Sequence, residues 1–211
     1  MRVFYLLPTG GRAESALATC QKWLEQMPVV VYTWDTETRD KLSPFCDIYY
    51  GEKLTFPKAI NYLASQLDFD ALVCGSDNLL PAVADIPDLI EMTLQGGTDA
   101  VIWADDGLMR AQATHPIVGR QWYDRHGYIL DEGFNHYFCD TDLHFRAKAQ
   151  NKLIKNFDIK FDHCQELSKN DSLWNWAQDR FWMDKEYFEG KHSVRCQLLK
   201  KDEKTLIPST R

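Results

Sequence analysis

The chain lacks a long hydrophobic run: no apolar stretch approaches the ~18 residues that a membrane span needs. It opens directly on a strand pattern, without a basic–apolar–small segment of the secretory kind. A cytoplasmic protein with no membrane partner is expected. The chain also lacks an excess of positive charge. Its 24 Lys and Arg stand against 31 Asp and Glu, a net charge of -7. No overall basic field exists to hold nucleic acid non-specifically, which leaves only local patches such as Lys148, Lys152, Lys155, Lys160 and Lys200-Lys201. Cys20, Cys46, Cys74, Cys139, Cys164 and Cys196 are scattered with no CxxC pair, so buried thiols are expected rather than disulfides. No internal repeat or low-complexity linker divides the sequence. A length of 211 residues suits one domain with a substantial core.

What is present is an alternation of strand and helix over the first hundred residues. Arg2 to Leu7 reads as a strand, broken by Pro8-Thr9-Gly10-Gly11. Ala13, Ala16, Leu17, Cys20 and Leu24 follow helical spacing and predict a helix over 13–26. Val29 to Trp34 is a second strand and Cys46 to Tyr50 a third. Pro57 opens a helix with Ile60, Leu63, Ala64 and Leu67 on one face. Ala71 to Asp77 is a buried strand running into polar residues, after which Leu79-Leu80-Pro81 turns the chain away. A helix near 87–95 ends at Gly96-Gly97, and Ala100 to Ala104 is a further strand ending in Asp105-Asp106-Gly107. Residues 108–139 carry many aromatics and little period. Thr141 caps a helix to about Ala149, Phe157 to Phe161 alternate as a strand, and Ser172 opens a helix with Trp174, Trp176, Phe181 and Trp182, read as packing against the sheet. The pattern predicts an α/β fold with a mostly parallel, doubly wound, Rossmann-like central sheet flanked by helices.

In such sheets ligands bind beyond the carboxyl ends of the strands. That places Pro8, Thr9 and Arg12, then Asp35, Asp77, and Asp105 with Asp106 on one rim. Asp77 stands where a phosphate-bound divalent cation needs an oxygen ligand, and Asp35 where a nucleobase or ribose needs an acceptor. The alternative for each aspartate is capping of the following helix. Trp122, Tyr123, Tyr128, Phe134, His136 and Tyr137 offer either an aromatic acceptor surface or core packing.

These residues fall into an ordered set: Leu7-Pro8-Thr9 with Arg12, Tyr32-Thr33-Trp34-Asp35, Lys58-Ala59-Ile60-Asn61, Gly75-Ser76-Asp77-Asn78, Trp103 to Gly107, His136 to Leu143, and His163. Over residues 2–190 the set resembles the GT-A class of glycosyltransferases, particularly small bacteriophage-type members of the inverting, nucleotide-sugar-using group. The resemblance implies one domain over 1–190. Residues 1–107 form its nucleotide-sugar-binding half, 108–190 an aromatic-rich acceptor and catalytic half, and 191–211 a polar tail. It implies donor binding by Pro8, Thr9, Arg12, Asp35, Lys58, Asn61, Ser76, Asp77, Asp105 and Asp106. It also implies Mn²⁺ or Mg²⁺ on Asp77, Asn78 and His163, although the usual acidic motif here keeps one carboxylate, with Ser76 and Asn78 beside it. Asp140, with Asp142 second, takes the position of the base that deprotonates the acceptor, and Tyr128, His136 and Tyr137 the acceptor side. The implied reaction moves a sugar from a nucleoside diphosphate, uridine-linked, to the hydroxyl of a modified DNA base, glycan or protein, in a monomer or weak homo-oligomer.

Two other readings stand beside it. Pro8-Thr9-Gly10-Gly11-Arg12 loosely resembles the glycine-rich loop of sugar-phosphate nucleotidyltransferases, whose N–H groups cradle a triphosphate. A domain with so depleted an acidic motif can also bind a nucleotide sugar without transferring it.

Overall fold

The structure, a computed structural model, describes residues 1–108, 111–164 and 172–193. Cys196, Lys200-Lys201, most of the expected polar tail and the Trp174 side chain lie outside what is described. The chain order is β1 (Val3–Pro8), α1 (Ala13–Leu24), β2 (Val29–Thr33), α2 (Thr36–Leu42), β3 (Asp47–Tyr50), α3 (Phe56–Ser65), β4 (Ala71–Cys74), β5 (Leu79–Pro81), α4 (Ile86–Thr93), β6 (Val101–Asp105), β7 (Ile117–Gly119), α5 (Arg120–His126), α6 (Cys139–Ala149), β8 (Leu153–His163) and α7 (Ser172–Lys191).

The strands form one sheet in the order β3-β2-β1-β4-β7-β6-β8-β5. β3, β2, β1 and β4 run parallel, as do β6 and β8. β7 runs antiparallel to both β4 and β6, and β5 antiparallel to β8. Because side chains alternate along a strand, β1 feeds two cores. Tyr5 and Leu7 pack with Trp23 of α1 and Ile90 of α4 on one face. Leu6 meets the other face, where Ile60 and Leu63 of α3, Trp122 of α5 and Leu143 of α6 gather. Full burial of such a side chain stabilises the fold by roughly 1.5–3 kcal/mol.

Four local readings change. Leu79-Leu80-Pro81 does not merely turn the chain; it is the edge strand β5, with Leu79 paired to His163. Proline at its end is compatible with an edge, where its missing N–H removes no ladder bond. α2, seven residues and too short to show a period, is nucleated by Asp35, whose Oδ2 accepts from the Thr38 N–H at 2.9 Å. β7 and α5 lie in the stretch without periodicity, since three buried strand residues carry no alternation to read. The aromatic helix α7 buries Phe188 but leaves Trp182 69% exposed, and it turns Trp176 and Phe181 towards a cavity rather than onto the sheet.

Candidate active site

The carboxyl ends of β1, β2, β4, β6 and β8 share one rim, and antiparallel β7 begins there. A cavity of about 580 Å³ opens over this rim, a size that suits a ligand of several rings. The loop before α6, α6 and α7 supply its far wall with Tyr137, Phe138, Asp140, Trp176 and Phe181.

Asp77 stands on the near wall in a turn shaped by Tyr5. The Tyr5 hydroxyl donates to the Ser76 carbonyl at 2.8 Å and accepts from the Ser76 N–H at 3.0 Å. Any Cβ at Gly75 would meet the Tyr5 ring at 2.0 Å, so only glycine permits this approach. The Asp77 carbonyl accepts from Ser15 at 2.6 Å and Thr19 at 2.9 Å, which ties the turn to α1. Its carboxylate is 3% exposed and already engaged: Thr9 Oγ1 donates to Oδ2 at 2.7 Å and Arg12 pairs with Oδ1 at 3.0 Å. Asn78 Oδ1 accepts from Ser76 Oγ at 2.7 Å.

Beyond Asn78 lies a second constellation. Among the described residues, the His, Cys, Asp and Glu ligand atoms that converge in a group of three belong to Asp106, His115 and His163, all within 4.8 Å of one another. Asp106 follows β6, His115 precedes β7 and His163 ends β8. His163 Nδ1 lies 3.9 Å from Asp106 Oδ2, and the two imidazoles meet edge to face with centroids 4.7 Å apart. Asp106 Oδ2 also accepts from Thr114 Oγ1, and Oδ1 from the Leu108 N–H at 3.1 Å. His115 Nδ1 lies 3.3 Å from the Cys74 carbonyl, which can only accept, so the ring proton is on Nδ1. Nε2 is buried and has no hydrogen-bond partner. Burial first, and then the field of His163, push the His115 pKa down to about 3. The ring is therefore neutral, with a lone pair on Nε2.

Asp140 sits in the first turn of α6, whose N-cap is Phe138 at φ 64°. Its Oδ1 accepts from the Thr141 N–H at 2.8 Å. Burial raises its pKa to about 6 despite that bond, with repulsion from Asp106 adding to the rise. A carboxylate poised there is a competent proton acceptor near neutral pH. Asp142 is different. It is fully buried on the opposite side of the turn, bonded by Arg146 Nε at 2.9 Å, Lys191 Nζ at 2.9 Å and His192 Nε2 at 2.7 Å.

Of the residues expected from sequence, the cavity wall includes Pro8, Arg12, Ser76, Asp77, Asn78, His136, Tyr137, Asp140 and His163. Thr9 stands behind Asp77. Asp35 is engaged in capping α2, and its hydrogen bonds to Thr38 hold its pKa below the usual carboxylate value. Asn61 clamps the 129–132 loop: Oδ1 accepts from the Ile129 and Leu130 N–H groups at 2.9 and 3.1 Å, and Nδ2 donates to the Leu130 carbonyl at 2.7 Å. Lys58 is exposed on α3, Asp105 accepts from the Gly107 N–H at 3.0 Å, and Tyr128 packs beneath Arg146. None of these lines the cavity. His136 does. Burial brings its pKa down to about 4, and its ring meets Phe56 and Tyr137 edge-on.

Three site residues are not apparent from sequence. His115 belongs to the aperiodic stretch. Lys53 lies over the rings of both Trp34 and Trp176, at 5.4 and 4.6 Å from their centroids, and bridges the two walls. Asp184 of α7, fully buried, accepts from the N–H groups of Asn135, His136 and Tyr137, each at 2.8 Å. It thereby fixes the loop that carries the last two into the cavity.

No protein-family model and no curated protein matches the chain. Solved structures do. A mannosyltransferase from Pyrobaculum calidifontis, in complex with GDP-mannose and Mn²⁺, superposes with a TM-score of 0.66 at 13% identity, over 84% of this chain and 60% of its own. Glucosyl-3-phosphoglycerate synthase from Mycobacterium tuberculosis, in complex with Mn²⁺, UDP and glucosyl-3-phosphoglycerate, gives 0.58 at 9% identity, over 82% and 74%. A cytidylyltransferase from Leptospira borgpetersenii gives 0.53 at 13% identity, over 74% and 76%. The chain thus spans about 60% of the length of the mannosyltransferase it matches. Its fold is the GT-A, Rossmann-like fold of nucleotide-sugar transferases. No helix of the described residues is long and apolar enough to cross a membrane.

Proposed function

We propose that this chain is a glycosyltransferase that moves a sugar from a nucleoside diphosphate sugar to an acceptor hydroxyl with inversion, Asp140 serving as the base. The observation that carries this reading is the placement of a buried carboxyl, its pKa raised to about 6, in the same cavity as Arg12, Asp77 and His163. One wall then holds groups suited to a diphosphate, and the other a group suited to removing a proton. The acceptor oxygen attacks the anomeric carbon, the bond from that carbon to the diphosphate breaks, and the electron pair leaves with the diphosphate. The hydroxyl proton passes to Asp140. Asp106, His115 and His163 would hold a divalent cation at their end of the cavity, which would supply positive charge to the leaving group. Trp34, Lys53 and Trp176 offer stacking and charge for the base, while His136, Tyr137 and Phe181 form the acceptor side.

A panel of nucleoside diphosphate sugars, uridine-linked donors first, incubated with the chain and Mn²⁺ and assayed for release of nucleoside diphosphate, tests the reading. A modified DNA base, a glycan and a peptide serve as acceptors. Release that is faster with one acceptor supports transfer. The fold shared with a cytidylyltransferase keeps nucleotidyl transfer as the second reading. Pyrophosphate released from a nucleoside triphosphate, with no turnover of any sugar donor, selects it. Donor binding with no release of either product selects a binding protein.

A further inference from the structure

We propose that the cation seat of this chain is the triad Asp106, His115 and His163, not the Asp77 turn, and that it takes a transition-metal dication of the Mn²⁺ or Zn²⁺ class in preference to Mg²⁺.

Three independent features point there. The first is occupancy of the alternative. Both oxygens of the Asp77 carboxylate are engaged, one by Thr9 and one by the Arg12 guanidinium. A cation at this carboxylate must sit beside a fixed positive charge or displace it. Arg12 itself supplies charge at that point, so Asp77 acts as the anchor that aims Arg12 into the cavity.

The second is a lone pair with nothing to meet. His115 Nε2 is buried and has no hydrogen-bond partner, while Nδ1 is committed to the Cys74 carbonyl. Burial of such a nitrogen unmatched is costly, and a metal ion satisfies it. A ring N–H bonded to a backbone carbonyl, with the opposite nitrogen left for the metal, is the arrangement that ligating histidines show.

The third is convergence from three separate strands. The ligand atoms of Asp106, His115 and His163 lie within 4.8 Å of one another. Two of the three already have outer partners: Cys74 for His115, and Thr114 with the Leu108 N–H for Asp106. Two imidazoles and one carboxylate favour borderline ions such as Mn²⁺, Fe²⁺ or Zn²⁺. Mg²⁺ prefers oxygen ligands and gives up water reluctantly. Three protein ligands leave positions open for a ligand's oxygens, and His115 and His163 both line the cavity.

The assignment deepens the glycosyl-transfer reading, but its test needs no sugar. Equilibrium dialysis of the full chain against Mn²⁺, Zn²⁺ or Mg²⁺ alone, near neutral pH, measures affinity. Pulsed electron paramagnetic resonance of the Mn²⁺ complex counts coordinated imidazole nitrogens. The expected result is tight Mn²⁺ and Zn²⁺ binding, weak Mg²⁺ binding and two imidazole couplings. His115→Gln and His163→Gln should each weaken Mn²⁺ binding by about 100-fold and leave one coupling, and Asp77→Asn should retain both couplings. Should a histidine variant fail to fold, the wild-type spectrum alone decides. Failure of Mn²⁺ and Zn²⁺ to bind, absence of imidazole coupling, Mg²⁺ binding as tight as Mn²⁺, or loss of binding in Asp77→Asn with retention in His115→Gln would each overturn the assignment. Donor turnover without imidazole coupling sinks the seat and leaves glycosyl transfer standing. Two imidazole couplings without donor turnover do the reverse.

Discussion

Asp140 is buried at a cost to stability whenever its carboxyl is charged. Its pKa is raised to about 6 chiefly because burial disfavours the charged form. The sign follows from proton binding. The native state binds this proton more strongly than the unfolded chain, whose carboxyl titrates near 3.8, so the contribution is most favourable below that value and is lost as pH rises through about 6. On the proposed function activity runs the other way, because only the carboxylate accepts a proton. The pH profile of kcat/KM should rise through an apparent pKa of about 6, and Asp140→Asn should flatten that rise and lower kcat by about 10²–10⁴. Its melting temperature at pH well above 6 should hold or increase. A group that served only to cap α6 predicts the opposite, a lower melting temperature with a proportional loss of activity. Asp142→Ala is the contrasting case. Arg146, Lys191 and His192 converge on that carboxylate, so its removal leaves buried positive charge and should cost roughly 3–5 kcal/mol by denaturant unfolding. The two aspartates, two residues apart, were alike in sequence as acidic residues opening a helix. Besides Arg146 one turn on, the partners that tell them apart are Lys191 and His192 at the end of α7 and just after it, and a separation in sequence of about 50 residues hides those two.

At the scale of the element, α7 does more than cover the core. Asp184 reaches from its buried face to the loop at 135–137 and holds three successive N–H groups. Asp184→Ala leaves these donors buried and unmatched, at a cost on the order of 3 kcal/mol. Because the loop carries His136 and Tyr137, the same change should raise the KM for acceptor more than that for donor. A variant in which both constants rise equally would show the loop to be scaffolding alone. The strands of the first half were legible because parallel, doubly buried strands read as continuous apolar runs, as Val29 to Val31 and Ala71 to Cys74 do. β7 was not legible. Three buried residues have no period, and an antiparallel strand inserted between β4 and β6 is a pairing that local pattern cannot announce. His115 went unseen for the same reason: it reaches the rim because an antiparallel strand starts where its parallel neighbours end. Asp35 and Asn61 were visible as polar residues at the right positions, yet their side chains are satisfied by backbone groups of α2 and the 129–132 loop. A motif names residue types, while hydrogen-bond partners decide which remain available to a ligand.

At the scale of the whole molecule, the proposed function makes the sheet rim and the α6–α7 wall complementary. On that proposal the rim would offer Arg12 and the His115–His163 pair to a diphosphate and its cation, and the opposite wall would offer Asp140 and aromatic rings to the acceptor. Ligand that binds only the native state raises stability by mass action, so a matching donor at a hundredfold excess over its Kd should stabilise the chain by about 2.7 kcal/mol. That shift should be larger with Mn²⁺ present than without it. The central claim is that this cavity transfers a sugar from a nucleoside diphosphate. Its most direct test is product analysis by mass spectrometry after incubation with Mn²⁺, a panel of nucleoside diphosphate sugars and candidate acceptors. The account predicts that the wild-type chain releases nucleoside diphosphate and forms a glycosylated acceptor of inverted anomeric configuration, and that Asp140→Asn does neither at a comparable rate. Retained anomeric configuration, an Asp140→Asn variant as active as wild type, or turnover confined to pyrophosphate release from a nucleoside triphosphate would contradict it.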